Sequence, residues 1–246
     1  MFGYGFDRRI LYVILAFMVL STISSFSTGN LLSLLYTLPG VVIALTFHEY
    51  AHAFAADKLG DDTPRRQGRL TLNPIAHLDP VGSVLLLFAG IGWGKPVEID
   101  PRNFNRDITV DKANAIVSFA GPLMNFILAL IFSLIYAAIY RFGSPMFFST
   151  QLGVILLTII FSAIITNIGL GVFNLIPVPP LDGSKILINF LPYNGKVWFE
   201  NNQHIFYLIF LGIWMFGLAG SIISPIIRVI SKAIISFAGL IFGIGI

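Results

Sequence analysis

The chain has 246 residues, of which 56 % are hydrophobic and only 11 % are charged, and its formal net charge is +3. Soluble domains carry about 25 % charged residues, so this composition excludes an ordinary globular enzyme and indicates an integral membrane protein in a lipid bilayer. The absence of cysteine excludes disulfides and thiolate metal ligands. The small net charge, with its basic residues clustered in loops, predicts no nucleic-acid partner.

Six apolar segments are candidates for membrane-spanning helices, because a helix needs about 20 residues to cross the hydrocarbon. We expect them at about 10–27, 31–57, 113–140, 150–173, 204–223 and 226–245. The first lies in Met1–Ser27 and lacks a clear cleavage site, so we interpret it as a retained anchor rather than a signal peptide. No repeat or linker marks a second domain, and residues 1–246 are predicted to form a single polytopic membrane domain.

The second span ends in the pattern His-Glu-x-x-His at residues 48–52. On a helix, His48 and His52 lie four residues apart, so both imidazoles leave one face and can share a tetrahedral Zn²⁺. Glu49 lies too close along the helix to bind the same ion, but it is placed to take a proton from a metal-bound water. The alternative is a set of polar helix-end groups that face lipid headgroups. We predict one Zn²⁺ per chain.

The connection 58–112 carries eight of the fifteen Lys and Arg residues. By the positive-inside rule, this connection and both termini are predicted to be cytoplasmic, so the metal helix ends near the cytoplasmic face. Short β strands are expected at 68–72 and 95–99. The apolar stretch 81–93 between them is too short to span, which favours a re-entrant or interfacial element.

The third span contains Gly121 followed by Pro122. Proline removes a backbone donor and clashes with the preceding turn, so we expect an interruption and a kink at this point. Such an interruption is tolerated in a membrane only where neighbouring protein or water satisfies the freed carbonyl group.

A catalytic zinc usually takes three protein ligands and one water, so a third ligand must come from elsewhere in the chain. Asp182 is the strongest candidate, because an isolated carboxylate after a span would be unfavourable without a metal. Three prolines precede Asp182 and prevent a regular helix there, and Gly183 permits a sharp exit. Asp182 could also be the N-cap of the following helix, a role compatible with metal binding. His77 is the alternative third ligand, or else a residue that lines the site.

Two separate motifs resemble the site-2 proteases, which are intramembrane zinc metalloproteases. These are His48–His52 and the downstream Asn-x-x-Pro-x-Pro-Pro-Leu-Asp-Gly at Asn174–Gly183. The stretches Asn73–Gly82 and Ala120–Asn125 are also similar to this family, in particular to its compact prokaryotic members. The resemblance implies an all-α membrane protein with a three-helix catalytic core formed by the second to fourth spans, within about residues 31–190. We expect no PDZ or CBS domain, because these 246 residues leave no room for one.

The resemblance also implies roles for individual residues. His48, His52 and Asp182 match the zinc ligands, and Glu49 matches the catalytic base. Asn174 matches a catalytic residue that contacts the substrate backbone or the oxyanion. Asn125 and His77 are expected to be neighbours of the active site.

The function expected from these residues is hydrolysis of peptide bonds within or near the transmembrane segments of membrane-protein substrates. An alternative is a divalent-metal transporter that uses the histidine pair as a transit site, although transporters usually distribute ionisable residues over several spans and show internal repeats. A catalytically inactive relative that acts as a scaffold is a third hypothesis. The sequence does not predict an oligomeric state.

Overall fold

The computed structural model describes residues 28–80, 82–83, 94–215 and 218–245. These ranges contain nine α-helices, two single-turn 3₁₀-helices (Pro74–Ala76 and Pro101–Asn103) and no β-strand. The α-helices are α1 (Thr28–Lys58), α2 (Thr63–Arg66), α3 (Val110–Phe142), α4 (Pro145–Ser149), α5 (Gln151–Asn174), α6 (Asp182–Phe190), α7 (Tyr193–Asn201), α8 (Gln203–Met215) and α9 (Leu218–Phe242). The predicted all-α class is confirmed for this part of the chain.

Within the described ranges, four helices are long and apolar enough to cross a membrane, which indicates a multi-pass membrane protein. They are Leu31–Lys58 of α1, Val110–Phe142 (α3), Gln151–Asn174 (α5) and Gly220–Phe242 of α9. The predicted spans at 31–57, 113–140 and 150–173 are thus confirmed to within three residues at each end. The predicted span at 10–27 lies outside the described residues.

The break predicted between the last two spans, 204–223 and 226–245, is wrong. Helix α8 is described as far as Met215, and residues 216–217 after it lie outside the described residues. Helix α9, described from Leu218 onwards, continues through Pro225, where the sequence predicted the break. A proline removes only one helical hydrogen bond, and neighbouring groups in a membrane protein can satisfy the freed carbonyl.

The predicted interruption of the third span at Gly121-Pro122 is also wrong. Helix α3 runs for 33 residues with Pro122 inside it. At its start, Thr109 caps the helix by accepting a hydrogen bond from the Lys112 N–H at 3.4 Å, and Asp111 lies in the first turn, where the helix dipole favours an anion. A well-started helix with long flanks therefore tolerates the single bond that the proline removes.

The strands predicted at 68–72 and 95–99 are not formed; Leu78 and Gly94 make an isolated antiparallel bridge instead. The backbone groups of these segments bind other partners. The Arg69 N–H donates to Pro64 O within a turn, and the Arg69 guanidinium donates to the carbonyls of Lys95 and Pro96. Of the predicted re-entrant stretch 81–93, residues 82–83 are helical and the remainder lies outside the described residues.

Helices α1, α3 and α5 pack against one another, as the resemblance implied for the second to fourth spans. Helices α1 and α5 approach closely at Gly40, where a Cβ atom would lie 2.8 Å from the Cα of Ala163. Between α3 and α5 lies an apolar core, against which the isoleucines of α9 pack; its buried members are Ala129, Ile160, Ile164, Ile168 and Val172. Helix α6 packs on α3, which brings the segment after α5 back to the three-helix group.

Candidate metal centre

Three potential metal ligands converge between α1 and the start of α6. His48 Nε2 and His52 Nε2 lie 3.0 Å apart, and Asp182 Oδ2 lies 3.2 Å from the first and 3.1 Å from the second. Ligands that bind Zn²⁺ tetrahedrally at 2.0–2.2 Å lie about 3.4 Å apart, so a slight opening of this triangle suits the ion. Within the described ranges, these residues form the one group of three such side chains that could hold a metal ion.

The hydrogen bonds of the two imidazoles leave both Nε2 atoms free to bind a metal. His52 Nδ1 lies 2.7 Å from the carbonyl oxygen of Val117, which can only accept, so this nitrogen carries the proton. His48 Nδ1 lies 2.7 Å from Asn125 Oδ1. With both Nδ1 atoms donating, two nitrogen lone pairs and a carboxylate oxygen face one another. They repel unless a proton or a metal cation lies among them, and the N, N, O donor set suits zinc.

Gly121 of α3 makes room for the two imidazoles. A Cβ atom at this position would lie 2.4 Å from His52 Nε2 and 2.7 Å from His48 Cε1, closer than real Cβ contacts. Glycine is therefore required here by the close approach of α3 to the metal ligands, not by a break in the helix.

Asp182 is presented by the irregular segment that the prolines predicted. Helix α5 ends at Asn174, and α6 begins at Asp182 with Leu181 as its N-cap. Because Asp182 is the first helical residue, the predicted N-cap role is wrong, and its carboxylate faces the histidines instead. Gly183 allows this close return, since a Cβ there would lie 2.3 Å from the carbonyl oxygen of Leu175.

Glu49 lies beside the ligands and outside the group of three, as predicted. Its carboxylate Oε2 accepts a hydrogen bond of 3.1 Å from the Val97 N–H. Gly94 lies against the same carboxylate, because its Cβ would be 3.3 Å from Glu49 Oε1. The connection between α1 and α3 therefore returns to the metal helix and contacts the residue expected to act as the base.

Two residues with predicted site roles make other contacts. His77 is fully buried and its Nε2 bonds to Thr71 O at 2.7 Å, so it holds its own loop and does not join the ligand group. The alternative of His77 as third ligand is therefore wrong. Its backbone oxygen accepts from the Lys95 N–H, which places its segment beside the one that reaches Glu49. Asn174 donates from Nδ2 to Leu170 O of its own helix at 3.0 Å.

Asn125 contacts the site as expected, and Asn167 is a residue that the sequence reasoning missed. Asn125 bonds to His48 and also donates from Nδ2 to Asn167 Oδ1 at 3.1 Å. Both asparagines are fully buried. The sequence did contain a signal for Asn167: it is an amide inside the apolar span 150–173, where a polar side chain needs an internal partner.

A zinc-type ligand set buried among long apolar helices, with a glutamate next to the first ligand, defines a metallohydrolase of the membrane. Residues 143–217 match the model of peptidase family M50. The chain is 36 % identical over 208 residues to YwhC of Bacillus subtilis, which covers 84 % of this chain and 92 % of that relative. It is 26 % identical over 209 residues to MJ0611 of Methanocaldococcus jannaschii, with 85 % and 96 % covered.

A third relative, Rip2 of Mycolicibacterium smegmatis, is 30 % identical over 152 residues, which are 58 % of this chain and 52 % of that protein. Each of the three bears the name "Putative zinc metalloprotease". No solved structure matches the chain. The chain belongs to peptidase family M50, the zinc metalloproteases of the site-2 protease type. This membership decides against the transporter alternative.

Proposed function

We propose that this metalloprotease hydrolyses peptide bonds within or near the transmembrane segments of membrane-protein substrates. The observation that carries the proposal is the group His48–His52–Asp182, in which both histidines are buried and lie inside a candidate span. His48 lies ten residues before the end of α1 at Lys58, which is about 15 Å along the axis. A peptide bond that reaches these residues must come from a chain that can enter the protein at membrane depth.

The residues of the site divide the work of amide hydrolysis. His48, His52 and Asp182 would hold one Zn²⁺ per chain; the bound ion supplies Lewis acidity and lowers the pKa of a coordinated water to about 7. Glu49 is the general base, which accepts a proton from the attacking water and then delivers it to the leaving nitrogen. The Val97 N–H orients the Glu49 carboxylate for both steps.

Asn174 is assigned to the substrate by its position and by the resemblance of its motif. It is the last residue of α5, and the chain from there leads through an irregular segment to Asp182. Its amide uses one hydrogen for Leu170 O, which leaves the second hydrogen to donate to a substrate carbonyl oxygen as negative charge develops there. Removing one such donor typically lowers kcat by about 10²-fold or more.

Zinc analysis of the purified full chain is the first test of this proposal. We expect near-stoichiometric zinc in the wild type and its loss in His48→Ala, His52→Ala and Asp182→Ala. Full zinc retention in these variants would overturn the ligand assignment. Near-stoichiometric zinc without cleavage of any membrane-protein substrate would instead favour the inactive scaffold.

Cleavage of a model transmembrane substrate in vesicles tests the base. Glu49→Gln keeps the shape of the side chain but cannot accept the proton, so we expect the zinc content to hold and kcat to fall by about 10²–10⁴-fold. The matched control is Glu98→Gln, because Glu98 is exposed and bonds to Gln67 at 2.8 Å. Near wild-type cleavage by Glu49→Gln would show that Glu49 is structural.

The products of the same reaction test the depth and orientation of the site. The Lys and Arg residues of the connection 58–112 favour a cytoplasmic location for the end of α1. We therefore expect cuts in the cytoplasmic third of the substrate span, near Gly, Asn or Pro residues that weaken its helix. Mass spectrometry that maps the cuts to the outer half of the span would refute this orientation.

A further inference from the structure

A buried line of hydrogen bonds crosses three helices and ends on the metal ligand His48. It begins at the backbone carbonyl of Ala163 on α5, which accepts from Asn167 Nδ2 at 2.8 Å. Asn167 Oδ1 accepts from Asn125 Nδ2 on α3 at 3.1 Å, and Asn125 Oδ1 lies 2.7 Å from His48 Nδ1 on α1. Both amides are fully buried, so water does not offer them alternative partners.

The chemistry of two backbone carbonyls, Ala163 O and Ala44 O, determines the direction of every bond in this line. Ala163 O can only accept, so the amide nitrogen of Asn167 must point to it and the amide oxygen must point to Asn125. Asn125 then has to present its own nitrogen to Asn167. The second hydrogen of that nitrogen donates to Ala44 O at 3.1 Å, another group that can only accept. The oxygen of Asn125 is left to face His48.

An amide oxygen opposite His48 Nδ1 requires a proton on that nitrogen. The neutral imidazole then has its lone pair on Nε2, the atom that lies 3.2 Å from Asp182. If the Asn125 amide turned over, its NH₂ group would face Nδ1 and would favour the tautomer with the proton on Nε2. That tautomer cannot bind a metal through Nε2.

We propose that Asn167 is a positioning residue that selects, through Asn125, the metal-binding tautomer of His48. The inference rests on the metal site proposed above. His52 is independent of this line, because its Nδ1 donates directly to the backbone carbonyl of Val117. The tautomer of His52 is therefore set directly by a backbone carbonyl. The tautomer of His48 is set by the Asn125 amide, whose nitrogen is held by Ala44 O and by Asn167 Oδ1 together.

The first experiment measures the tautomer in the metal-free full chain. The protein has four histidines, so ¹⁵N-histidine NMR in lipid can be assigned with single substitutions. In the wild type we expect the proton of His48 on Nδ1. In Asn167→Leu, Ala44 O is the one remaining acceptor for the Asn125 amide nitrogen, so we expect a mixture of both tautomers for His48 in which the Nδ1–H form still predominates, and no change for His52. An unchanged His48 tautomer in Asn167→Leu would overturn the proposal.

A second, smaller and polar substitution keeps the test decisive if Asn167→Leu does not fold. In Asn167→Ser, the hydroxyl can bond to Ala163 O within the helix but is too short to reach Asn125, so the same mixture is expected. The matched control is Ser133→Ala, which removes a fully buried hydroxyl from α3. This control should leave both tautomers unchanged; a shift of His48 in Ser133→Ala would show that the effect is a general response to lost polarity.

Zinc affinity provides the third measurement, by chelator competition. We expect Asn167→Leu to weaken zinc binding about 10-fold, at the lower end of the effects of groups that orient ligands. Asn125→Leu should weaken it more, and the double variant should equal Asn125→Leu, because Asn167 acts only through Asn125. Additive losses would show an independent role and overturn the proposal. If the wild type binds no zinc, the proposed function fails, and the tautomers of the metal-free protein still decide the present inference.

Discussion

The metal centre and the connection between α1 and α3 are held together by opposite means. At the metal centre, His48, His52 and Glu49 leave one long helix, Asp182 follows an irregular segment, and the packing of the helices brings these side chains together. Neutral amides and backbone carbonyls then complete the site, as at His48 and His52. Almost no charge is present apart from the ligands and Glu49, which suits a location in the membrane.

The connection has little regular structure and is organised by two buried charged side chains. Asp61 is fully buried and accepts hydrogen bonds from Thr63 N–H and hydroxyl, Asp100 N–H and Asn103 Nδ2. Arg69 is 5 % exposed and donates to the carbonyls of Ala76, Lys95 and Pro96. Hydrogen bonds to these two charged side chains therefore take the place of the regular backbone hydrogen bonds of a helix or sheet.

This difference between the two regions shows which functional residues depend on helix packing and which depend on the connection. The proposed metal ligands depend on helix packing, whereas Glu49, the proposed general base, depends on the connection. Arg69 binds the carbonyls of Lys95 and Pro96, and the next residue, Val97, donates to Glu49. Variants of the two regions should consequently separate zinc binding from catalysis.

The largest expected effect is that of Gly121→Ala. The new Cβ would overlap His52 Nε2 at 2.4 Å, so the imidazoles or α3 must move. We expect zinc affinity to fall about 100-fold or more, as for changes that displace ligands. Gly169→Ala is the matched control, since its Cβ would make ordinary contact with Ile227 at 3.6 Å. Equal zinc affinities of the two variants by chelator competition would contradict the role of Gly121.

Arg69→Met tests whether catalysis can be reduced without a loss of zinc binding. Methionine keeps the length of the side chain but leaves three carbonyls without their donor, which should lower the free energy of unfolding by about 3 kcal/mol. We expect kcat to fall about 10-fold with zinc content unchanged, because only Glu49 loses its support. Arg102→Met is the control, as that side chain is 87 % exposed. A loss of zinc in Arg69→Met would show that the two regions are not separable.

Asp61→Asn should have an intermediate effect that depends on pH. Burial opposes ionisation of Asp61, but hydrogen bonds from Thr63, Asn103 and Asp100 outweigh it, so the pKa lies below its ordinary value of 3.8. Because the pKa of Asp61 is lower in the folded protein than in the unfolded chain, the ionised carboxylate stabilises the fold at pH values above its unfolded pKa. This stabilisation is lost as the pH falls through the folded pKa. We expect a loss of about 1–3 kcal/mol at pH 7 that shrinks below about pH 4. Thermal unfolding from pH 3 to 7 measures it; a pH-independent difference would contradict this account.

The smallest effect is expected for an exposed ion pair of the same connection. Arg66 and Asp62 lie four residues apart, and their side chains are 71 % and 47 % exposed. Such pairs contribute about 0.5 kcal/mol or less. Arg66→Ala should change the unfolding temperature by about 2 °C or less and should not affect zinc or kcat. A loss as large as that of Arg69→Met would show that exposure does not distinguish the arginines of this connection.

Local patterns in the sequence were sufficient for the parts of the site that lie on one element. The spacing of His48 and His52 defines a shared face because the period of a helix is known in advance. Asp182 was recognisable as an isolated carboxylate after an apolar span, where a metal relieves the burial of charge. The spans at 31–57, 113–140 and 150–173 followed from their length and composition alone.

Only the tertiary structure decided the features that need two elements to meet. Gly121 was read as a helix break, although its purpose is to make room for the imidazoles of α1. Asn167 was missed because an amide in an apolar span shows that it needs a partner but not which one. The strand at 95–99 was wrong because the distant Arg69 side chain occupies two carbonyls that a strand partner would use. The strand at 68–72 was wrong because its Arg69 N–H and Thr71 carbonyl bind Pro64 O and His77 instead. Backbone pairing and helix contacts are chosen by competition among partners that are far apart in sequence, and a local pattern does not contain that competition.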